Sequence, residues 1–249
     1  MKGCYKIAGH VVEIESIYEK IHTMCVDYRT TLPAEYSIVV TNADIEKERE
    51  YSRMQQEREL QMITEYSDDY LETLAVYRQL AVCMIQYDTL LFHGSVVAVN
   101  NVGYLFTAKS GVGKSTHTSL WRKLLGKQAV MVNDDKPLIR FIENKAVVCG
   151  TPWNGKHHLS SNVEVPLRSI CLLERGLENQ IRKITPVEAT TFLLKQTYLP
   201  EDRTKLLQVL SLVNRLSSSV ALYHLQCNMD LSAAELSYGV MSGQIPADK

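Results

Sequence analysis

Phe106-Thr107-Ala108-Lys109-Ser110-Gly111-Val112-Gly113-Lys114-Ser115-Thr116 is the stretch that decides how this chain is read. It contains A-x-x-x-x-G-K-S, a phosphate-binding loop (P-loop) pattern with Ala108 where the first glycine usually stands. The apolar run Tyr104-Leu105-Phe106 precedes it and an amphipathic stretch, 117–125, follows, which is the strand, loop and helix setting such a loop needs. Glycines let the backbone approach phosphate oxygens, successive amide hydrogens form an anion nest, and the helix start adds positive potential. On this reading Ala108, Lys109, Ser110, Gly111, Val112, Gly113, Lys114, Ser115 and Thr116 cradle the phosphates of ATP. Lys114 reaches the terminal phosphates, Ser115 places its hydroxyl on Mg2+, and Thr116 holds another phosphate oxygen.

Upstream, Ser95–Val99, the turn Asn100-Asn101-Val102-Gly103 and the run 104–107 have the pattern of a hairpin, because Asn and Gly tolerate the positive φ of tight turns. Downstream, Ala129-Val130-Met131-Val132-Asn133-Asp134-Asp135 reads as a buried strand ending in two carboxylates. Adjacent carboxylates repel unless a metal ion or a proton relieves them, so this pair is a candidate source of both metal ligand and base. His93, in Phe92-His93-Gly94-Ser95, lies just ahead of the hairpin. Further strands are expected at Leu138–Ile142, Lys145–Cys149, 169–173 and 220–225. Thr185-Pro186-Val187-Glu188 is a capping box that opens a helix through Tyr198, and leucine-rich runs at 206–216 and 231–241 give two more.

Residues 1–89 read as a small α+β unit. The segment 6–14 is β-branched and partly alternating, 17–28 is helical, and 36–41 is a compact strand, so two strands bracket a helix. Dense mixed charge over 43–60 marks a solvated face of a helix or of an exposed strand pair. Ser67-Asp68-Asp69 starts a helix with Ser67 as N-cap, and Leu71, Leu74, Leu80 and Met84 carry it over 69–87 as the bridge to a second unit.

The composition of the 249 residues, 45 % apolar and 22 % charged, is that of a globular chain. Lys plus Arg (27) nearly cancel Asp plus Glu (28), so nothing in the charge balance points to nucleic acid or to an anionic membrane as partner. With no secretory leader pattern and no long uncharged apolar run, the expected location is the cytoplasm. Cys4, Cys25, Cys83, Cys149, Cys171 and Cys227 form no C-x-x-C pair and read as free thiols that pack as small hydrophobes.

His93-Gly94, the loop Ser110-Gly111-Val112-Gly113-Lys114-Ser115 and the pair Asp134-Asp135, in that order, resemble the catalytic core of HPr kinase/phosphorylase. With Ser95 included, the set also resembles phosphoenolpyruvate carboxykinase, whose core shares that fold. The resemblance is dense over 91–140 and loose elsewhere. It implies an α/β fold in which a small α+β N-terminal unit, 1–89, binding the acceptor or a partner, precedes a P-loop kinase-like core, 90–249, of hairpin-connected strands rather than one broad parallel sheet. It implies an ATP- and Mg2+-dependent phosphotransferase acting on a hydroxyl, either the serine of a protein or peptide or a free serine-like metabolite. Asp134 is then the base, Asp135 and Ser115 hold the metal, and His93 orients Asp134 or approaches the metal. HPr kinases assemble, so a homo-oligomer is in keeping with the resemblance.

The chain departs from that family at Ala108 and in lacking a Glu-x-Arg-Gly segment. Its Thr151-Pro152-Trp153-Asn154-Gly155-Lys156-His157-His158 instead resembles less characterised HPr-kinase-like proteins. There Lys156 is a candidate for charge on the moving phosphate and Gly155 for close backbone approach, beside Trp153, His157 and His158. Arg168, Arg175 and Arg203 are further candidate cations among which the sequence does not select. Two other readings stand beside the kinase: a non-catalytic ATP-binding regulatory module, and carboxykinase chemistry, for which no arginine-rich substrate region precedes the loop.

Overall fold

The computed structural model describes residues 1–58, 62–109, 111–155 and 157–246. It divides into two compact units, Met1–Cys83 and Met84–Lys249.

In the first unit β1 (Lys2–Ile7) and β2 (His10–Glu15) pair antiparallel around Ala8 and Gly9, whose φ angles are +47° and +79°. The run 6–14 is therefore not one strand but the heart of a hairpin. An Ala-Gly turn lacks the Asn, Asp or Pro that marks such turns in sequence. Next come α1 (Lys20–Met24) and one 3-10 turn (Val26–Tyr28), then β3 (Tyr36–Val39), which lies parallel to β2. The charge-dense stretch is a helix, α2 (Asn42–Arg58), its last two residues as expected from sequence lying outside the described residues. In α3 (Asp68–Met84) the buried Glu72 carboxylate accepts the amide hydrogens of Ile17 and Tyr18 at 2.6 and 3.0 Å. Ser67, expected as N-cap, donates its hydroxyl to the Asp69 carboxylate.

The second unit runs β4 (Thr89–Leu91), β5 (Ser95–Val99), β6 (Val102–Thr107), α4 (Lys114–Leu125), β7 (Ala129–Asn133), β8 (Leu138–Ile142), β9 (Lys145–Cys149), β10 (Glu164–Arg175), β11 (Gln180–Lys183), α5 (Pro186–Gln196), α6 (Arg203–Ser219), β12 (Ala221–Cys227) and α7 (Leu231–Ser242). Among the described residues its strands form a mixed sheet in the order β4-β8-β9-β10-β6-β5-β7, with β12 also on β10 and β11 on β12. β6, β10 and β12 are parallel to one another; the remaining pairings are antiparallel. The fold is thus mixed α/β, with a small N-terminal sheet and a larger curled one.

Alternation along the strands sends neighbours to opposite faces. Val96, Leu105 and Ile170 join a cluster with Leu193 of α5 and Leu216 of α6, whereas Val97, Phe106 and Cys171 join Trp121 of α4 and Met241 of α7. Helices therefore cover both faces, which is why these central strands are apolar throughout. The β5–β6 turn places Asn100 and Asn101 at φ +51° and +61°, the left-handed pair that a two-residue hairpin turn requires. No helix among the described residues is long and apolar enough to cross a membrane. The six cysteines are free, and burial pushes the Cys25 thiol up to about 12.

α5 begins as the sequence indicates. Thr185 accepts from the Glu188 amide, Glu188 accepts from the Thr185 amide at 2.8 Å, and Pro186 occupies the first turn. The Thr185 backbone hydrogen bond and the Arg182 contact hold the Glu188 carboxyl down at about 2, against an ordinary 4.5. A depressed carboxylate contributes its stability above the unfolded value and loses it as pH falls through the folded one. The Glu188 contribution is therefore expected to be present above pH 4.5 and to fade towards pH 2, and Glu188→Gln should flatten the acid limb of the stability curve there. Thr185→Ala should cost about 1 kcal/mol in denaturant unfolding.

Candidate functional site

The loop after β6 enters α4 through Gly111 and Gly113, at φ +76° and +123°. A Cβ at Gly111 would meet nothing within 4 Å, so backbone conformation rather than space requires glycine there. Ser110 lies outside the described residues. Gly113 is the N-cap of α4 and offers no side-chain hydrogen bond, which leaves the first amide hydrogens of the helix open to a ligand. Ser115 and Thr116 are exposed in that first turn. Lys114 donates to the Ala108 carbonyl at 3.5 Å; burial lowers its pKa, with the Asp135 charge opposing. Beneath the loop, Trp121 packs edge to face on Phe106 and Tyr238 and tilted on Tyr104, and its indole donates to Ser237 Oγ at 2.8 Å. β6, α4 and α7 are thereby packed together.

The acidic pair follows β7, and Asn133, fully buried, positions it. Its Oδ1 accepts the amide hydrogens of Asp135 (2.8 Å) and Lys136 (2.6 Å), while its Nδ2 donates to Thr151 O, Thr151 Oγ1 and Trp153 O at 3.1, 3.0 and 3.3 Å. One side chain thus ties the turn after β7 to the 151–153 segment. Gly150 lets that segment pass: a Cβ there would sit 1.9 Å from the Ser161 carbonyl oxygen. Asn133 escaped the sequence reading as anything but a strand residue. A buried Asn whose next residues turn is the available signal.

The two carboxylates differ sharply. Asp134, only 4 % exposed, accepts from the Gly155 amide at 2.6 Å through Oδ1, and its Oδ2 is buried without a partner among the described residues. Burial raises its pKa, more than the Gly155 hydrogen bond lowers it. Asp135 is also pushed up by burial, but the hydrogen bond from His93 and the charges of Lys136 and Lys114 outweigh this and hold it below the ordinary range. His93 Nε2 lies 3.2 Å from Asp135 Oδ1, and burial lowers its own pKa. The histidine thus pairs with Asp135 rather than Asp134. His93 is fixed in turn by its amide on Gln196 O (2.7 Å) and its carbonyl on Thr107 Oγ1 (3.0 Å). Two neighbouring carboxyls pushed apart in acidity can take different roles, one staying ionised and the other exchanging a proton.

The remaining candidates separate by position. Gly155 brings its backbone to Asp134, and a Cβ there would be 3.1 Å from Asp134 Oδ2. Lys156 lies outside the described residues. The Trp153 residue is buried, His157 is exposed, and His158 Nδ1 meets Asn154 Oδ1 at 3.3 Å. Arg168 donates to the Met241 and Ser242 carbonyls at the end of α7. Arg203 is the exposed first residue of α6. Arg175 alone of these three reaches the glycine loop.

A cleft of about 280 Å³ opens beside that loop, lined among others by Gly113, Thr116, His117, Arg175, Cys227 and Met229. β10 ends at Arg175 and β12 at Cys227, so the cleft lies off the carboxyl ends of parallel strands, where open α/β sheets bind ligands. Among the described residues no group of three or more His, Cys, Asp or Glu side chains forms a metal cage.

No family model matches the chain, and neither does any curated protein. Among solved structures it is similar to the Hpr(Ser) kinase/phosphatase from Coxiella burnetii, at 14 % identity over 51 % of this chain and 95 % of that one, with a TM-score of 0.29.

Proposed function

We propose that the chain is an ATP- and Mg2+-dependent kinase that phosphorylates a hydroxyl, most simply a serine of a protein or peptide or a free serine-like metabolite. The observation that carries this reading is the orphaned, buried Oδ2 of Asp134, with a raised pKa, beside the ionised Asp135. The loop through Gly111 and Gly113 and the open start of α4 suit the phosphates, and the neighbouring cleft suits the nucleoside. The donor set also suits a small hard cation: Ser115 and Asp135 offer oxygen ligands, and Mg2+ needs few from protein because phosphate and water complete its shell. When bound, the cation neutralises charge on the phosphate oxygens.

In this reading Asp135, kept ionised by His93, holds its oxygen towards the cation. Lys114 sits against the terminal phosphates. Asp134 Oδ2 accepts the proton of the acceptor hydroxyl as the new oxygen–phosphorus bond forms, and the bond between the β,γ-bridging oxygen and the γ-phosphorus breaks with ADP as leaving group. The Met1–Cys83 unit would select the acceptor or a partner, and a cytoplasmic homo-oligomer is the setting we infer.

The test is transfer of label from γ-labelled ATP with Mg2+, by wild type and Asp134→Asn, into native extract separated into macromolecules and small molecules. Label appearing with wild type and absent with the variant supports the kinase, and its fraction names the acceptor class. Binding without transfer to either fraction would instead favour the regulatory ATP-binding module, and oxaloacetate-dependent turnover the carboxykinase. Lys114→Ala is expected to weaken MgATP binding and transfer together, each by about 100-fold, because a charge-assisted contact to phosphate is lost in both states.

A further inference from the structure

Arg175 is the last residue of β10, and its guanidinium donates through Nη2 to the Gly111 carbonyl and through Nε to the Val112 carbonyl at 3.2 Å. These are consecutive peptide groups of the glycine loop. In a planar trans peptide the amide hydrogen points away from the carbonyl, so holding these two oxygens turns the amide hydrogens of Val112 and Gly113 to the opposite side. A Cβ on Gly111 would touch nothing within 4 Å and a Cβ on Gly113 would meet only Thr116 at 3.9 Å and beyond, so packing does not fix these peptides, although the Gly113 carbonyl accepts the His117 amide hydrogen at 2.9 Å as α4 begins. The Val112 amide closes only a long bond, 3.3 Å, back to Lys109 O.

We propose that Arg175 is a positioning residue that presets the glycine loop for phosphate by fixing two peptide planes from behind. It does not touch the ligand's phosphates in this role; its fork of donors faces carbonyl oxygens. Because β10 is parallel to β6, with Leu172 opposite Thr107, the strand end carrying Arg175 emerges beside the loop that β6 feeds. The sheet register therefore places the guanidinium. Without it, the ligand must itself order the loop, and that entropy is subtracted from affinity. The inference rests on the phosphate-binding reading of the loop given above.

The experiment measures MgADP and magnesium pyrophosphate binding by calorimetry, with the full chain as wild type, R175A and R175K, alongside the unliganded thermal midpoint. Both ligands should bind R175A about tenfold more weakly, since both depend on the loop. R175K should recover part of the loss, to about threefold weaker than wild type, because an ammonium lacks the planar fork that spans two carbonyls. The unliganded midpoint should stay within about 2 °C of wild type, which a merely structural arginine would not allow. Wild-type affinity in R175A overturns the proposal, as does a fall in midpoint that accompanies the affinity loss in both variants. Should R175A fail to fold, R175K decides: wild-type affinity there overturns the proposal. If wild type binds neither ligand, the phosphate-binding reading fails and this inference with it, whereas binding by wild type with no loss in the variants removes Arg175 alone.

Discussion

Asp134→Asn is expected to abolish phosphoryl transfer, by about 1,000-fold or more, while leaving MgATP binding within a few-fold of wild type. The amide keeps an oxygen for the Gly155 hydrogen bond but cannot take a proton from an acceptor. The same substitution should stabilise the unliganded protein. The native fold raises the pKa of Asp134 by burial, so the folded state binds the proton more tightly than the unfolded chain, and stability falls as pH rises from the ordinary carboxyl value of 3.8 through the raised one. Asn removes that penalty. A thermal-melt series from pH 4 to 8 should show the variant pulling ahead as pH rises. Equal transfer by variant and wild type would eliminate the base assignment, and a variant less stable at pH 8 would contradict the electrostatic account. A variant that is more stable but transfers no phosphoryl group is the expected mark of a site held under electrostatic strain.

Asn133→Ala should be the most damaging single change outside the reacting groups, at about 3 kcal/mol of unfolding free energy with transfer reduced at least about 100-fold. Five hydrogen bonds disappear, and the amides of Asp135 and Lys136 and the carbonyls of Thr151 and Trp153 lose a partner together. Asn133→Asp is the instructive companion: it keeps the acceptor towards Asp135 and Lys136 but loses the donors to 151–153 and adds charge beside the acidic pair. Denaturant unfolding with label transfer on the same preparations checks both effects. A stable Asn133→Ala variant with normal transfer would mean that the carboxylates are held by the loop itself.

What could be read in advance depended on whether the governing interaction was local. The β5–β6 hairpin was legible because Asn100 and Asn101 announce a turn, and α5 because the Thr185–Glu188 box and Pro186 lie within four consecutive residues. The β1–β2 hairpin was not, since Ala8-Gly9 looks like a pause in one β-branched run. The parallel placement of β3 on β2 left no local trace. In the site, the glycine loop and the acidic pair could be marked from residue types alone. Which carboxyl His93 would face, that Gly155 would serve Asp134, and that Arg175 rather than Arg168 or Arg203 would meet the loop are consequences of register between distant segments.

The position of β10 in the sheet has a kinetic consequence. Leu172 is paired with Thr107 on one side and His224 on the other, segments widely separated along the chain. Closing such large loops before any contact rewards them makes folding slow, and parallel strands offer no short hairpin to nucleate from. The β5–β6 hairpin can zip early, whereas the floor joining β6, β10 and β12 has to wait for two remote encounters. Refolding from denaturant should therefore pass through a stage in which hairpins exist but the glycine loop and the acidic pair have not yet met, with unpaired apolar strand edges open to association.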